Sequence, residues 1–172
     1  MARNLFGPSM MVVVYRGQPR LDTAKLIDAD HALSILQGEE SVISSALGLT
    51  NDYRFNVIIE AVGPKESFQI SQSLVGAGGT ITSLGVFGES CKLHLEKLWN
   101  HNICLWAYLI NTVSTPDLLQ IIESGGIEPD ILVSHGFSFE QIHDTYNIFE
   151  LASKHGALKV VVTMPEPYSN RS

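Results

Sequence analysis

Phe55-Asn56-Val57-Ile58-Ile59-Glu60, continued by Ala61-Val62-Gly63-Pro64, is the stretch whose reading decides the fold. Its apolar residues run continuously instead of alternating with polar ones. That is the pattern of a parallel strand covered on both faces. Gly63-Pro64 then opens a helix, because proline is tolerated in a first turn, where its missing amide has no intrahelical partner to lose. Glu66 stands near the positive end of that helix. Phe68, Ser71 and Val75 share one side, with Leu74 beside them. Gly76-Ala77-Gly78-Gly79 is predicted to end the helix, and Thr80 to Leu84 to form the next strand.

Strand-like and helix-like stretches alternate on both sides of this core. Met10 to Tyr15 (MMVVVY) reads as a buried strand. Arg16 to Arg20 turn the chain, and Asp22 to Ile27 form a helix body. Ala32 to Leu36 is a short strand and Glu39 to Leu47 is compatible with a helix. Downstream, Ile103 to Ile110 is a long apolar stretch of strand character. Ser114 or Thr115 caps a helix whose first position is Pro116 and whose stop is Gly125-Gly126. Leu118, Leu119, Ile121 and Ile122 supply its apolar face. Ser138 and Gln141 have capping-box spacing. Phe139, Ile142, Tyr146 and Phe149 fall on one helical stripe. Gly156 supplies a left-handed exit, and Leu158 to Thr163 is a last buried strand. The order predicts an α/β fold on a mostly parallel sheet.

Composition narrows the function classes. The chain has 172 residues, 45% hydrophobic and 17% charged, with a net charge of -7. An acidic balance of this size argues against a broad nucleic-acid surface. No apolar run approaches the roughly 20 residues of a membrane-spanning helix. The apolar run near the N-terminus reads as a strand and not as a signal peptide, so the expected location is the cytoplasm. Cys91 and Cys104 form neither a disulfide framework nor a metal quartet.

Several segments in one order carry a resemblance. They are RLDTAK (20–25), ADH (29–31), VIIEAVG (57–63), GAGGTITSLGVFGE (76–89), LHLEKLW (93–99), NTVSTPDLL (111–119), ESGGIEPDILVSHGF (123–137) and GALKVVVT (156–163). Together they resemble the C-terminal half of medium-chain, zinc-dependent alcohol dehydrogenases over residues 2–163. NTVSTPDLL resembles a microbial subgroup acting on small alcohols and carbonyl compounds. The resemblance implies an incomplete Rossmann-type doubly wound sheet plus the C-terminal segment that returns to the catalytic domain. Residues 1–112 then correspond to a partial cofactor-binding domain lacking its first strand and GxGxxG turn. Residues 113–164 correspond to the C-terminal helices and strand, and 165–172 to a tail. The first strand of such a sheet is central, so leaving it out opens the middle and not an edge. A chain of this kind reads as a fragment, a decayed paralogue or a truncated gene model. It equally reads as a product that repacks, pairs with itself or needs a complementing chain.

The candidate cofactor residues follow from the same resemblance. Tyr15 and Arg16 stand where the second Rossmann strand usually ends in an acidic residue. An arginine there would pair with the extra phosphate of NADP, which leans the cofactor, NAD or NADP in intact relatives, toward NADP. The pair also reads as an exposed turn. Val62 and Gly63 fall where the family packs the adenosine end. Gly85, Val86 and Phe87 fall in the loop that approaches the nicotinamide, and all five also read as plain strand-end turns. Lys159 falls at a basic position near the pyrophosphate, or is a strand lysine in solvent. Gly136, in SHGF (134–137), replaces an arginine of the resembling motif. No G-x-G-x-x-G occurs, and the cluster at 76–79 reads as a turn and not as a phosphate cradle.

No catalytic or metal-binding residue is expected in this chain. The family's zinc ligands lie upstream of its start, and the spacing of Cys91, His94, His101 and Cys104 matches no strong zinc pattern. Adjacent Ser134 and His135 do not establish a nucleophile–base pair, and there is no G-x-S-x-G elbow. Glu60 sits at a strand end, where the resemblance assigns it no catalytic role. Intact relatives transfer hydride between a small alcohol and NAD(P) using catalytic zinc, and this chain alone is expected to be inactive. The alternatives are a nucleotide-binding or homologue-associating remnant, or a zinc-free quinone or carbonyl reductase-like protein. The strand at 103–110 is the expected site of homo-oligomerisation, dimeric in the family, with association with a full-length homologue as the other expected partnership.

Overall fold

The computed structural model describes residues 2–109 and 112–165. In chain order the elements are α1 (Ala2–Phe6), β1 (Val12–Tyr15), α2 (Gln18–Leu26), β2 (His31–Ser34), α3 (Glu39–Leu49), β3 (Phe55–Glu60), α4 (Lys65–Leu74) and β4 (Val75–Ser83). They continue with α5 (Leu95–Leu98), β5 (Cys104–Ala107), α6 (Thr115–Glu123), β6 (Val133–Ser138), α7 (Ile142–Glu150), α8 (Ala152–His155) and β7 (Lys159–Thr163). Ile110, Asn111 and the tail from residue 166 lie outside the described residues. The chain divides into two compact units, residues 33–114 and residues 1–32 with 115–172.

The unit 33–114 holds the parallel sheet β3-β4-β5. Register places Ile58 beside Ile81 and Ile81 beside Leu105, so these three share a face. That face meets α4. Phe68, Val75, Ile81 and Leu98 form one buried cluster, and Ala46, Ile70 and Leu74 a second. Ile58 packs against both. Buried Gln72 straps α4 to the segment before α5: its Nε2 donates to the Lys92 carbonyl at 3.0 Å, and its Oε1 accepts the His94 amide at 2.7 Å. The other face carries Val57, Ile59, Thr82 and Trp106, and it is not covered. Val57 and Ile59 are each 62% exposed and Trp106 is 51% exposed. The expectation of a strand covered on both faces therefore holds for one face of β3 only, because the packed helices of this unit lie on the Ile58 side.

The glycine cluster at 76–79 does not end α4 before a separate strand. Helix passes directly into strand at Val75, and the cluster is a bulge inside β4. Phe55 pairs with Val75 and Val57 with Thr80, so β4 spends more residues than β3 over this interval. Gly78 takes a positive φ of 72°, open to an L residue only with strain.

β1 pairs with β2, and in the other unit β6 pairs in parallel with β7. The Asp30 carboxylate accepts the Met11 amide at 2.6 Å and pairs with Arg3. The Ser138–Gln141 capping box forms, and Gly156 exits α8 in the left-handed conformation, both as the sequence predicts. The stripe expected on α7 is shifted. Phe139, Tyr146 and Phe149 are exposed, while Thr145 is buried and Ile142 and Ile148 are half-buried. The inward face, packed toward β6 and β7, carries Ile142, Thr145 and Ile148.

Candidate functional site: the β3 and β4 strand ends

Glu60 and Ser83 end β3 and β4 side by side. Carboxyl ends of parallel strands are where α/β sheets bind ligands. The Glu60 carboxylate is only 3% exposed and is fully occupied with donors. Its Oε1 accepts the amides of Val62 and Gly63, each at 2.8 Å, and the Ser67 hydroxyl at 2.7 Å. Its Oε2 accepts the Ser83 hydroxyl at 3.3 Å. The Glu60 carbonyl accepts the amides of Leu84 at 2.7 Å and Gly85 at 3.3 Å. Burial pushes this carboxyl upward, but the hydrogen bonds from Ser67, Gly63, Val62 and Ser83 outweigh it and hold the group below its ordinary value.

One side chain thus fastens the β3 loop to the β4 loop, and the two backbones cross with almost no space between them. Gly63 has φ of 104°, and a Cβ there would run into the Val86 backbone. A Cβ on Gly85 would stand 2.5 Å from Glu60 Oε2 and 2.7 Å from the Gly63 Cα. The absence of a side chain at Gly85 is therefore used by the protein's own packing.

The structure brings Val62, Gly63, Gly85, Val86 and Phe87 together at this crossing. Val62 and Val86 turn outward, 58% and 85% exposed. Phe87 turns inward, its ring edge-on to Phe68 at 5.9 Å. Beneath it lies a cavity of about 210 Å³ lined by Phe68, Phe87, Cys91 and Leu105 among others. Tyr15, Arg16 and Lys159 belong to the other unit. Tyr15 ends β1 with the Arg20 guanidinium 4.9 Å above its ring, Arg16 is exposed just beyond it, and Lys159 is exposed at the start of β7.

The Val62, Gly63, Leu84 and Gly85 amides are all taken by Glu60, so these four are not open to a ligand phosphate. Val62 and Val86 each expose an apolar side chain at the crossing. Sequence reading missed the role of Glu60. The signal was present in its spacing: a carboxylate three residues before a glycine and seven before Ser67 can reach both.

Other candidate chemistry resolves into structural contacts. The Ser134 hydroxyl donates to the Lys159 carbonyl at 3.1 Å and accepts the Leu158 amide at 2.9 Å, tying β6 to β7, while His135 Nδ1 lies 2.9 Å from it. His94 Nδ1 engages Glu96 at 2.7 Å, and both cysteines are free thiols. Gly136 has no neighbour within 4 Å of where a Cβ would stand. Among the described residues no three His, Cys, Asp or Glu side chains gather to hold a metal, so the residues present do not fit a zinc ion. Among the same residues, no helix is long and apolar enough to cross a membrane.

Comparison with known proteins agrees with this architecture. The family model described as zinc-binding dehydrogenase matches residues 1–124. An alcohol dehydrogenase of Cupriavidus necator is 27% identical over 165 residues, covering 92% of this chain and 43% of that protein. The zinc dependent alcohol dehydrogenase 2 from Streptococcus pneumoniae, solved in apo form, superposes with a TM-score of 0.87 at 33% identity, covering 94% of this chain and 47% of that one. The RspB alcohol dehydrogenase from E. coli CFT073, solved with NADH, has the same fold, with a TM-score of 0.83 at 20% identity, 92% of this chain and 46% of that one covered. The chain spans about half the length of these relatives. Its sequence match over 1–124 and its parallel strand order place it in the zinc-binding dehydrogenase family.

Proposed function

We propose that this chain supplies the ring-binding part of the cofactor site of an NAD(P)-linked alcohol dehydrogenase, and that on its own it does not turn over an alcohol. The observation that carries the reading is the Gly63–Gly85 crossing, clamped by Glu60, with Val62 and Val86 exposed at the carboxyl ends of parallel strands. In the intact reaction a hydride passes between a small alcohol and the nicotinamide ring. The part assigned to this chain is to present exposed apolar side chains to the cofactor, Val62 at its adenosine end and Val86 toward the nicotinamide. With four of the amides at the crossing already bonded to Glu60, binding is expected to be weak, with Kd on the order of 1 mM.

An amide NMR titration with each cofactor tests this. The expected result is shifts at Val62, Gly63, Gly85 and Val86 with either cofactor. Shifts confined to residues far from the crossing, or none at saturating cofactor, would sink the assignment.

Two features of β5 favour a homodimer as a companion property. It is an edge strand, and Trp106 stacks on Tyr108 at 5.9 Å and 15° with both rings exposed. Light scattering is expected to give twice the chain mass, and Trp106→Lys to return it to the monomer. A monomeric wild-type chain removes this reading.

A further inference from the structure

Residues 84–94 lead from β4 to α5 without helix or strand, and Gly85, Val86 and Phe87 stand at their start. That start is fixed, because the Leu84 and Gly85 amides donate to the Glu60 carbonyl. The middle rests on apolar contact. Phe87 and Cys91 pack against the cluster of Phe68, Val75, Ile81 and Leu98, but both also line the cavity of about 210 Å³, so that packing is incomplete. Lys65 and Glu89 pair at 3.8 Å with both side chains more than half exposed, and an exposed pair contributes little. The far end is tied to α4 by Gln72. Its Nε2 donates to the carbonyls of Lys92 at 3.0 Å and Phe68 at 3.4 Å, and its Oε1 accepts the His94 amide at 2.7 Å. With carbonyls on the nitrogen and an N–H on the oxygen, the side-chain amide has one orientation. A buried amide is unfavourable unless bonded, and the two shorter bonds of this one leave α4 for the loop. Lys65, Phe68 and Gln72 follow the spacing of one helix face, so a single stripe of α4 faces the loop.

We propose that Gln72 is a positioning residue: by holding Lys92 and His94 to α4 it sets the path of residues 86–91 and the direction in which Val86 points. Its bearing on the cofactor rests on the reading of Val86 given above. The loop is tied at both ends, by Glu60 before Val86 and by Gln72 after Cys91. Untying the second end leaves Leu84 and Gly85 bonded and frees the residues between. Val62 keeps its place, because its amide is held by the Glu60 carboxylate and not by the loop. A role in positioning therefore differs from a general role in stability in that it separates Val86 from Val62.

Amide relaxation is measured by NMR on the full 172-residue chain, free and with NADPH. In the free wild type, Val86 and Phe87 are expected to have order parameters of about 0.85, the level of rigid backbone. Gln72→Met keeps the side-chain length and deletes donor and acceptor. It is expected to bring both residues below about 0.6, to speed exchange of the His94 amide about tenfold, and to remove the NADPH-induced shift at Val86 while that at Val62 stays. His94→Pro deletes the accepted N–H from the loop side, at a φ of -84° close to the range of a proline ring, and is expected to loosen Val86 and Phe87 in the same way. Gln69→Met, the same exchange elsewhere on α4, is expected to leave both rigid. Should Gln72→Met misfold, His94→Pro decides. Val86 mobile in the wild type, Val86 rigid in the variants, or Val62 loosened as much as Val86 would each overturn the proposal. A wild type without NADPH-induced shifts strikes the cofactor reading instead, and the relaxation comparison in the free chain, which contains no nucleotide, still decides the role of Gln72.

Discussion

Glu60→Ala is expected to cost about 3 kcal/mol of stability, read as a lowered urea midpoint, and to speed hydrogen exchange at Gly63. The size follows from what is left behind. The Gly63 amide and the Ser83 hydroxyl are buried and lose their acceptor, while the exposed Val62 amide can turn to water. A buried donor without a partner costs about 1–3 kcal/mol, and bonds to a charged group lie at the upper end. Ser67 can fall back on the Pro64 carbonyl at 2.7 Å. The same carboxylate gives the unit an acid limit. Its pKa is lowered in the folded state, so its contribution is complete above the ordinary glutamate value of 4.5 and is lost as pH falls below that value and through the folded one. Wild-type stability should therefore drop more steeply than that of Glu60→Ala on acidification below about pH 4.5. Parallel curves for the two proteins would show that Glu60 does not hold the loops.

Gly85→Ala is expected to destabilise by about 3 kcal/mol and to abolish the NADPH-induced shifts at Val62. The methyl group would enter space already held by the Gly63 backbone and by Glu60 Oε2, and a backbone cannot swing aside as a flexible side chain can. Relief requires the two loops to part, which stretches the bonds from Val62 and Gly63 to Glu60. Gly88→Ala, three residues on, meets nothing within 4 Å and should stay within about 0.5 kcal/mol of wild type. Equal urea midpoints for the two variants would show that the crossing is loose enough to yield.

What the sequence disclosed and what it hid follow from the range of the interactions. FNVIIE, the Ser138–Gln141 box and Gly156 are decided by neighbours a few residues away, and each forms where its residues predict. The inward face of α7 is decided by which strands lie beneath it, so the apolar stripe through Tyr146 and Phe149 pointed to the wrong side. The 76–79 glycines signalled a break, but whether the break falls between elements or inside β4 depends on pairing with β3 twenty residues upstream. At the site, the residues lining the two loops were legible from family motifs. The reason Gly63 and Gly85 must lack side chains was not, because it arises only when Glu60 draws distant loops together.

The bulge at 76–79 also divides β4 into a tolerant and an intolerant half. Ala77 and Gly78 are exposed, and nothing lies within 4 Å of the space beyond Gly78. A residue inserted between Ala77 and Gly78 would lengthen the kink and leave Thr80–Ser83 in place, provided the Gly78 amide keeps its bond to the His101 carbonyl at 2.7 Å. The same change a few positions later would slide the strand by one step and carry Ser83 to the opposite face, away from Glu60. Evolution can therefore alter the length of this segment ahead of Thr80, while between Thr80 and Ser83 it is confined to exchanging one residue for another.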